Sequence, residues 1–549
     1  MQRLSILFLF YSSMLFSQSL HYQCIQDFDD CAIENLAVTI DRLKLTPSVI
    51  RYDATGTFLL EVYMSGPTTR LALNVGGVIS DFNDSGRDGD KKSGDNIFTL
   101  RYPIQQVVTK LQVSDAFRPF LGFVEIYEGS TKTSQYNLFV PVRTAEMANV
   151  TVQRKEATVQ ATDVLVNIVA QNDKTVEYNT VAKKFYQHYD DRFDFINFVH
   201  IPGYIGNRFH STVKTTVQGI GTSRFDNSSN FGSRGQLKGF NAFPLAGFYD
   251  PVTNGFVHEF GHQWINFADD SPFADGIPHW PFSSVGAGVM GISIGGRNGA
   301  GGSFSKTLTP ATGGYNQSSI ISTASPKFNE WELYYLGLIP KTEIKNPAIV
   351  FKDQSKYPTD GFYASSAFYL YSIDDFVSKY GNRAPNSSVS QKKFKVATLF
   401  ITDSLMTADE LAYYHFMTQR ADSKVPIPAR EGFSTYLGNS FFVATNGLAS
   451  LDVTLASPLV SSQEIQANLK VIAYPNPFQS RLELELSALE VDEVQIQIWD
   501  MLGRKVWNGK QTLGTGANQV SIPTTNFSRG TYQVLILGEK HYGQVKVVK

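Results

Sequence analysis

His258 and His262 lie four residues apart, with Glu259 directly after the first, in the run Phe256-Val257-His258-Glu259-Phe260-Gly261-His262-Gln263-Trp264-Ile265. No other feature limits the fold as tightly. On a helix, positions i and i+4 share a face, so both imidazoles can reach one metal ion. Neutral imidazole suits Zn²⁺, and a glutamate one residue after the first histidine can act as general base on an activated water. Phe256, Val257, Phe260, Trp264, Ile265 and Phe267 are apolar, so the helix is expected to run through a core. The chain holds only nine histidines, and a fortuitous H-E-x-x-H has odds on the order of one in a hundred.

Two histidines leave a catalytic zinc one protein ligand short. The metzincin spacing H-E-x-x-H-x-x-G-x-x-H fails, because Ile265 and Ala268 stand where its Gly and third His belong. The next histidine is His279, in Pro278-His279-Trp280, and it is the expected third ligand. Glu330 and Glu332 compete with it, on an apolar helix expected over residues 328–337, because a downstream helical glutamate completes thermolysin-like sites. Asp269, Asp270 and Asp275 are further carboxylates in reach of the sequence. Gly288-Val289-Met290-Gly291 resembles a Met-turn beneath a three-histidine site. Tyr315, Tyr334 and Tyr335 are the nearby hydroxyls that could face an oxyanion.

The N-terminus sets the compartment. Met1-Gln2-Arg3, an apolar run from Leu4 to Phe16, and the small residues Ser17 and Ser19 read as a signal peptide over residues 1–19. No later run is apolar for the roughly 18 residues a spanning helix needs, so the mature chain is expected to carry no transmembrane segment. His21-Tyr22-Gln23 before Cys24 is not a lipobox. Export permits a Cys24–Cys31 bridge, with two free thiols as the alternative. The balance of 48 basic and 50 acidic residues implies no nucleic-acid partner.

Patterning divides the mature chain. Residues 20–145 read as a β-sandwich: Phe58–Met64, Arg70–Val75, Phe123–Tyr127 and Tyr136–Val140 are short strands bounded by Gly, Pro, Ser and Asp. The acidic stretch Asp81–Asp95 is either an Asx-rich turn or a Ca²⁺ site without the terminal glutamate of an EF-hand. Residues 146–456 turn to mixed α and β, with strands at 163–169 and 195–201 and helices over Thr180–Tyr189 and Met406–Arg420, the latter capped by Thr407. A long apparent loop from Gly286 to Gly314 reads as an active-site rim. A linker, 457–470, leads to a third unit, 471–549, of about seven alternating strands.

Three resemblances add to this. Asp84–Thr99 resembles the pattern D-x-G-x-x-G-D-x-x-x-G-D-x-x-Y/F-T of Ig-like prefix domains of secreted bacterial proteins. Residues 146–456 resemble secreted zincin-like proteins through His258–Trp264, His279-Trp280, Val289-Met290-Gly291, Glu332–Leu338 and Phe441–Leu451. The last unit, with Tyr474-Pro475-Asn476-Pro477-Phe478, Trp499-Asp500, Gly503-Arg504, Arg529-Gly530 and a terminal Lys-Val-Val-Lys, resembles the type IX secretion C-terminal sorting domain of Bacteroidetes. Together they imply a multidomain protein with an N-terminal β-sandwich, a central α+β zincin-like metallopeptidase domain and a C-terminal Ig-like β-sandwich. The implied function is a secreted or cell-surface zinc metallopeptidase acting on protein or peptide, with Glu259 as base and His258, His262 and His279 as ligands. The other reading is a non-catalytic surface adhesion protein with a vestigial zincin-like domain.

Overall fold

The computed structural model describes residues 39–110, 120–170, 175–201, 208–244, 255–286, 288–291, 304–321, 327–355, 359–424, 439–455, 469–500, 505–538 and 541–549. The signal segment, Cys24 and Cys31, most of the linker and residues 287 and 292–303 of the glycine-rich stretch lie outside the described residues. The chain falls into two compact units, Met1–Leu455 and Ala456–Lys549.

The first unit opens with two facing sheets. One joins Ile40–Thr46, Thr57–Met64 and Ile97–Pro103; the other joins Val78–Asp81, Arg70–Val75, Phe120–Glu128 and Thr131–Phe139. Alternate residues point to one side of a strand. Phe58, Leu60 and Val62 thereby meet Leu71, Leu73, Val124 and Ile126 in one core. A short helix at Ile104–Lys110, absent from the sequence expectation, follows the third strand of the first sheet. In the acidic turn, carboxylate oxygens of Asp84, Asp90 and Asp95 lie within 4.8 Å of one another. They also close the turn: Asp84 accepts from the Gly94 and Asn96 amides at 2.7 and 3.2 Å, and Asp90 accepts from Gly86 and Lys92.

The rest of the first unit is organised by an eight-stranded sheet. Its middle strands, Leu165–Val169, Lys393–Thr402, Phe195–His200 and Gly239–Pro244, pair in parallel, and Phe209–Thr212 closes one edge antiparallel to Gly239–Pro244. Parallel strands covered on both faces read as unbroken apolar runs, and every residue of Phe195–His200 is buried. Ile196 and Phe198 pack against Phe185 of the helix Tyr178–Tyr186. Phe195 faces the other way, onto Phe260 and Trp264. The helix Ala408–Gln419 is capped by Thr407, as its sequence signalled, in a capping box with Glu410. Its first turn also receives the N-terminal sandwich: Arg143 pairs with Asp409 and Ser48 bonds Glu410, while Val49 and Met147 join Leu411 and Tyr414 in a shared core.

Two local expectations change. The stretch read as one loop, Gly286–Gly314, contains the strand Phe304–Ala311, which pairs with Gly314–Ile321. The apolar helix expected to run past His262 stops at Gly261. Trp264 and Ile265 still reach the core, but from turns, and Asn266 takes a left-handed φ of 52°.

The helix Glu330–Leu336 ends on Gly337 at φ 76°, the glycine cap its sequence signalled, and starts two residues later than expected, on Asn329 as N-cap. Buried Arg383 finishes it, donating from Nε to the Tyr335 carbonyl at 2.8 Å and from Nη2 to that of Leu336 at 3.0 Å. The second unit is a seven-stranded sandwich. Lys470–Tyr474, Arg481–Ala488 and Gly516–Pro523 form one sheet; Lys505–Leu513, Asp492–Asp500, Thr531–Leu537 and Tyr542–Val548 form the other. Leu482, Leu484, Val494, Ile496, Val534 and Ile536 fill its core.

Gly337→Ala is expected to destabilise the first unit by roughly 2–4 kcal/mol. The new Cβ would lie 2.2 Å from Arg383 Nη1 on a backbone that disfavours any side chain. Urea unfolding of both chains measures it; an unchanged midpoint would contradict this account of the helix end.

Candidate metal centre

His258 and His262 leave the last turn of the helix Gly255–Gly261 on one side, and His279 arrives from a loop. His258 Nε2 lies 3.0 Å from His279 Nε2 and 3.1 Å from His262 Nε2. His258 Nδ1 donates to the Val289 carbonyl at 2.8 Å, which leaves Nε2 as a bare lone pair aimed at the other two rings. Burial pushes His258 and His262 well below the ordinary imidazole range, and pushes His279 down to about 4. All three are therefore neutral at physiological pH, the form that ligates a divalent cation. Two nitrogens on one tetrahedral zinc stand roughly 3.3 Å apart. Three neutral, convergent nitrogens on half-buried rings fit such an ion.

Each ring is held from behind. Met290 is fully buried, and its sulfur lies against Gly261, so close that a Cβ there would stand 2.2 Å from Sδ. Asn266 donates from Nδ2 to the carbonyls of Phe273 and His279. His210, which the sequence reading passed over, is buried between Asn241 and Gln263 at 2.7 and 3.2 Å.

Of the competing ligands, Glu330, Asp269, Asp270 and Asp275 are exposed. Glu332 is fully buried, and its carboxylate is taken up by four N–H donors rather than turned to the imidazoles. Glu259 is buried too, and Arg208 Nε donates to its Oε1 at 3.0 Å. Burial pushes the Glu259 carboxyl up to about 7 against the pull of that guanidinium. Arg208 stands just before the edge strand Phe209–Thr212, 51 residues from Glu259, and nothing local in the sequence marks it.

Of the tyrosines named as oxyanion donors, Tyr334 has its hydroxyl engaged elsewhere, while the buried hydroxyl of Tyr335 has no hydrogen-bond partner among the described residues. Tyr334 OH accepts from the Arg383 amide, Tyr335 packs on Trp280 and Phe376, and Tyr315 packs on Phe368. Gly291-Ile292-Ser293-Ile294-Gly295 spells G-x-S-x-G, which corrects the reading that the chain holds no such run and so no serine-based hydrolase. That motif acts at a strand-to-helix elbow; here residues 288–290 are turn and bend, and 292–295 lie outside the described residues.

Residues 472–549 match the family described as the secretion system C-terminal sorting domain. The chain is thus a cargo of the type IX secretion system, exported to the cell surface or released. Among the described residues no helix is long and apolar enough to cross a membrane. No curated protein matches the chain. Two solved structures resemble parts of it. Dimeric latent PorU from Porphyromonas gingivalis is 17% identical over 15% of this chain and 9% of its own, with a TM-score of 0.13. A DUF3244 family protein with an immunoglobulin-like β-sandwich fold from Bacteroides vulgatus is 20% identical over 15% of this chain and 92% of its own, with a TM-score of 0.12. Likeness at that level carries no argument about the centre.

Two outcomes follow. Gly261→Ala is expected to displace Met290 and lower metal content while leaving the circular dichroism spectrum of the fold; full metal occupancy in that variant would contradict the packing described. Removing residues 456–549 is expected to leave the first unit folded and the protein retained in the periplasm. Normal release of the truncated chain into the medium would count against the sorting role.

Proposed function

We propose that the first unit is a zinc-dependent metallopeptidase, a hydrolase of peptide bonds in exported form. The convergence of His258, His262 and His279 on one point, with Glu259 in the same helical turn, carries this reading. Those three imidazoles would hold the ion. Bound there, zinc would polarise a carbonyl and lower the pKa of a water. Glu259 would take a proton from the attacking water at Oε2, Oε1 being held by Arg208, and deliver it to the leaving amine. Arg208 pairs with Oε1, holds that oxygen in place, and draws the carboxyl down against the larger upward push of burial. The same ion pair is what favours the other reading, a non-catalytic surface protein, since a paired carboxylate also serves a purely structural site.

Casein hydrolysis by the mature full-length chain, with and without a chelator, separates the two. Glu259→Gln is expected to keep zinc and lose hydrolysis by roughly a hundred- to ten-thousandfold. His279→Ala is expected to lose both. Hydrolysis that survives chelation, or a Gln variant that turns over like the wild type, would sink the peptidase reading. Hydrolysis blocked by a serine-directed reagent and indifferent to chelator would move attention to Ser293.

A further inference from the structure

Glu332 does more than cap its helix. In an ordinary capping box the glutamate accepts one N–H, that of the N-cap residue. Glu332 does this at Oε2, from the Asn329 amide at 2.9 Å, and the same oxygen accepts from the Val289 amide at 3.1 Å. Its Oε1 accepts from Trp280 Nε1 and from the Met290 amide, both at 2.9 Å. The side chain is 0% exposed.

Three of those four donors adjoin the histidines: one bonds a ring, one follows a histidine in sequence, and one packs under the turn before a histidine. Val289 gives its amide to Glu332 and its carbonyl to His258 Nδ1. Trp280 follows His279 directly, and Met290 lies under Gly261. One carboxylate therefore ties the Val289 backbone behind His258, the side chain of the residue after His279, and the residue packed under Gly261, which precedes His262. We propose that Glu332 is a positioning residue for the metal centre, not a ligand, and that it sets the geometry and tightness of metal binding. This rests on the zinc reading above.

Only a carboxylate meets the requirement. All four partners are donors, and a glutamine would turn its NH₂ group toward two of them. The fit is close on the other side as well: a Cβ on Gly288 would stand 2.1 Å from Glu332 Oε2.

The test uses the mature full-length chain. Zinc affinity is measured by chelator competition, and ligand geometry by the visible spectrum of the cobalt-loaded protein. Glu332→Gln is expected to weaken zinc 10- to 100-fold, as loss of an outer partner does, and to alter the cobalt bands while the circular dichroism spectrum stays native. Gly288→Ala keeps the carboxylate but displaces it, and is expected to act in the same direction. A merely structural role would lower the melting temperature and leave zinc affinity and cobalt bands unchanged; that result overturns the proposal. Should the Gln variant be insoluble, the Gly288→Ala readings decide alone, by the same criterion. Loss of zinc in Glu332→Gln with zinc retained in His279→Ala would make Glu332 a ligand and also overturns it. A wild-type chain that takes up no zinc is a separate failure, of the zinc reading itself, and takes this inference with it.

Discussion

Three half-buried imidazoles aim their nitrogens at one point at the border of an apolar core, and the groups packed around them keep them there. Lone pairs crowded to within about 3 Å of one another do not attract, so the arrangement depends on the groups behind the rings. Val289 fixes the tautomer of His258, Asn266 fixes the loop of His279, and Met290 sets the height of the turn that carries His262. The Glu332 carboxylate gathers the backbone of the first and last of these at once.

The sheet explains why those parts meet. Buried parallel strands present one face to the Tyr178–Tyr186 helix and the other to the histidine helix, so Phe195 meets Phe260 and Trp264 at ring distances of 5.1 and 5.8 Å. The N-terminal sandwich braces the same body through the first turn of Ala408–Gln419. Phe256 of the histidine helix packs against that same shared core.

Local pattern made much of this legible. Gly337 and Thr407 are cap residues whose chemistry acts within four residues, and the structure uses them as caps. The alternation in Leu482–Leu486 and Val494–Trp499 marked strands correctly, because a two-residue period needs only near neighbours. What stayed hidden acts over long separations. Arg208 reaches Glu259 across 51 residues, and Glu332 reaches Met290 across 42. No periodicity encodes such pairs. The helix length was misjudged for a related reason: Trp264 and Ile265 are apolar because they bury, and burial in a turn looks in sequence like burial in a helix. Glu332 was weighed as a ligand because its sequence shows a carboxylate and conceals its four donors.

The most direct test of the account is X-ray absorption at the zinc edge on the purified full-length chain. The expected spectrum has one zinc per chain with three imidazole nitrogens at about 2.0–2.1 Å and one further light atom. A centre with two imidazoles and a carboxylate, or a chain that retains no zinc, would contradict it.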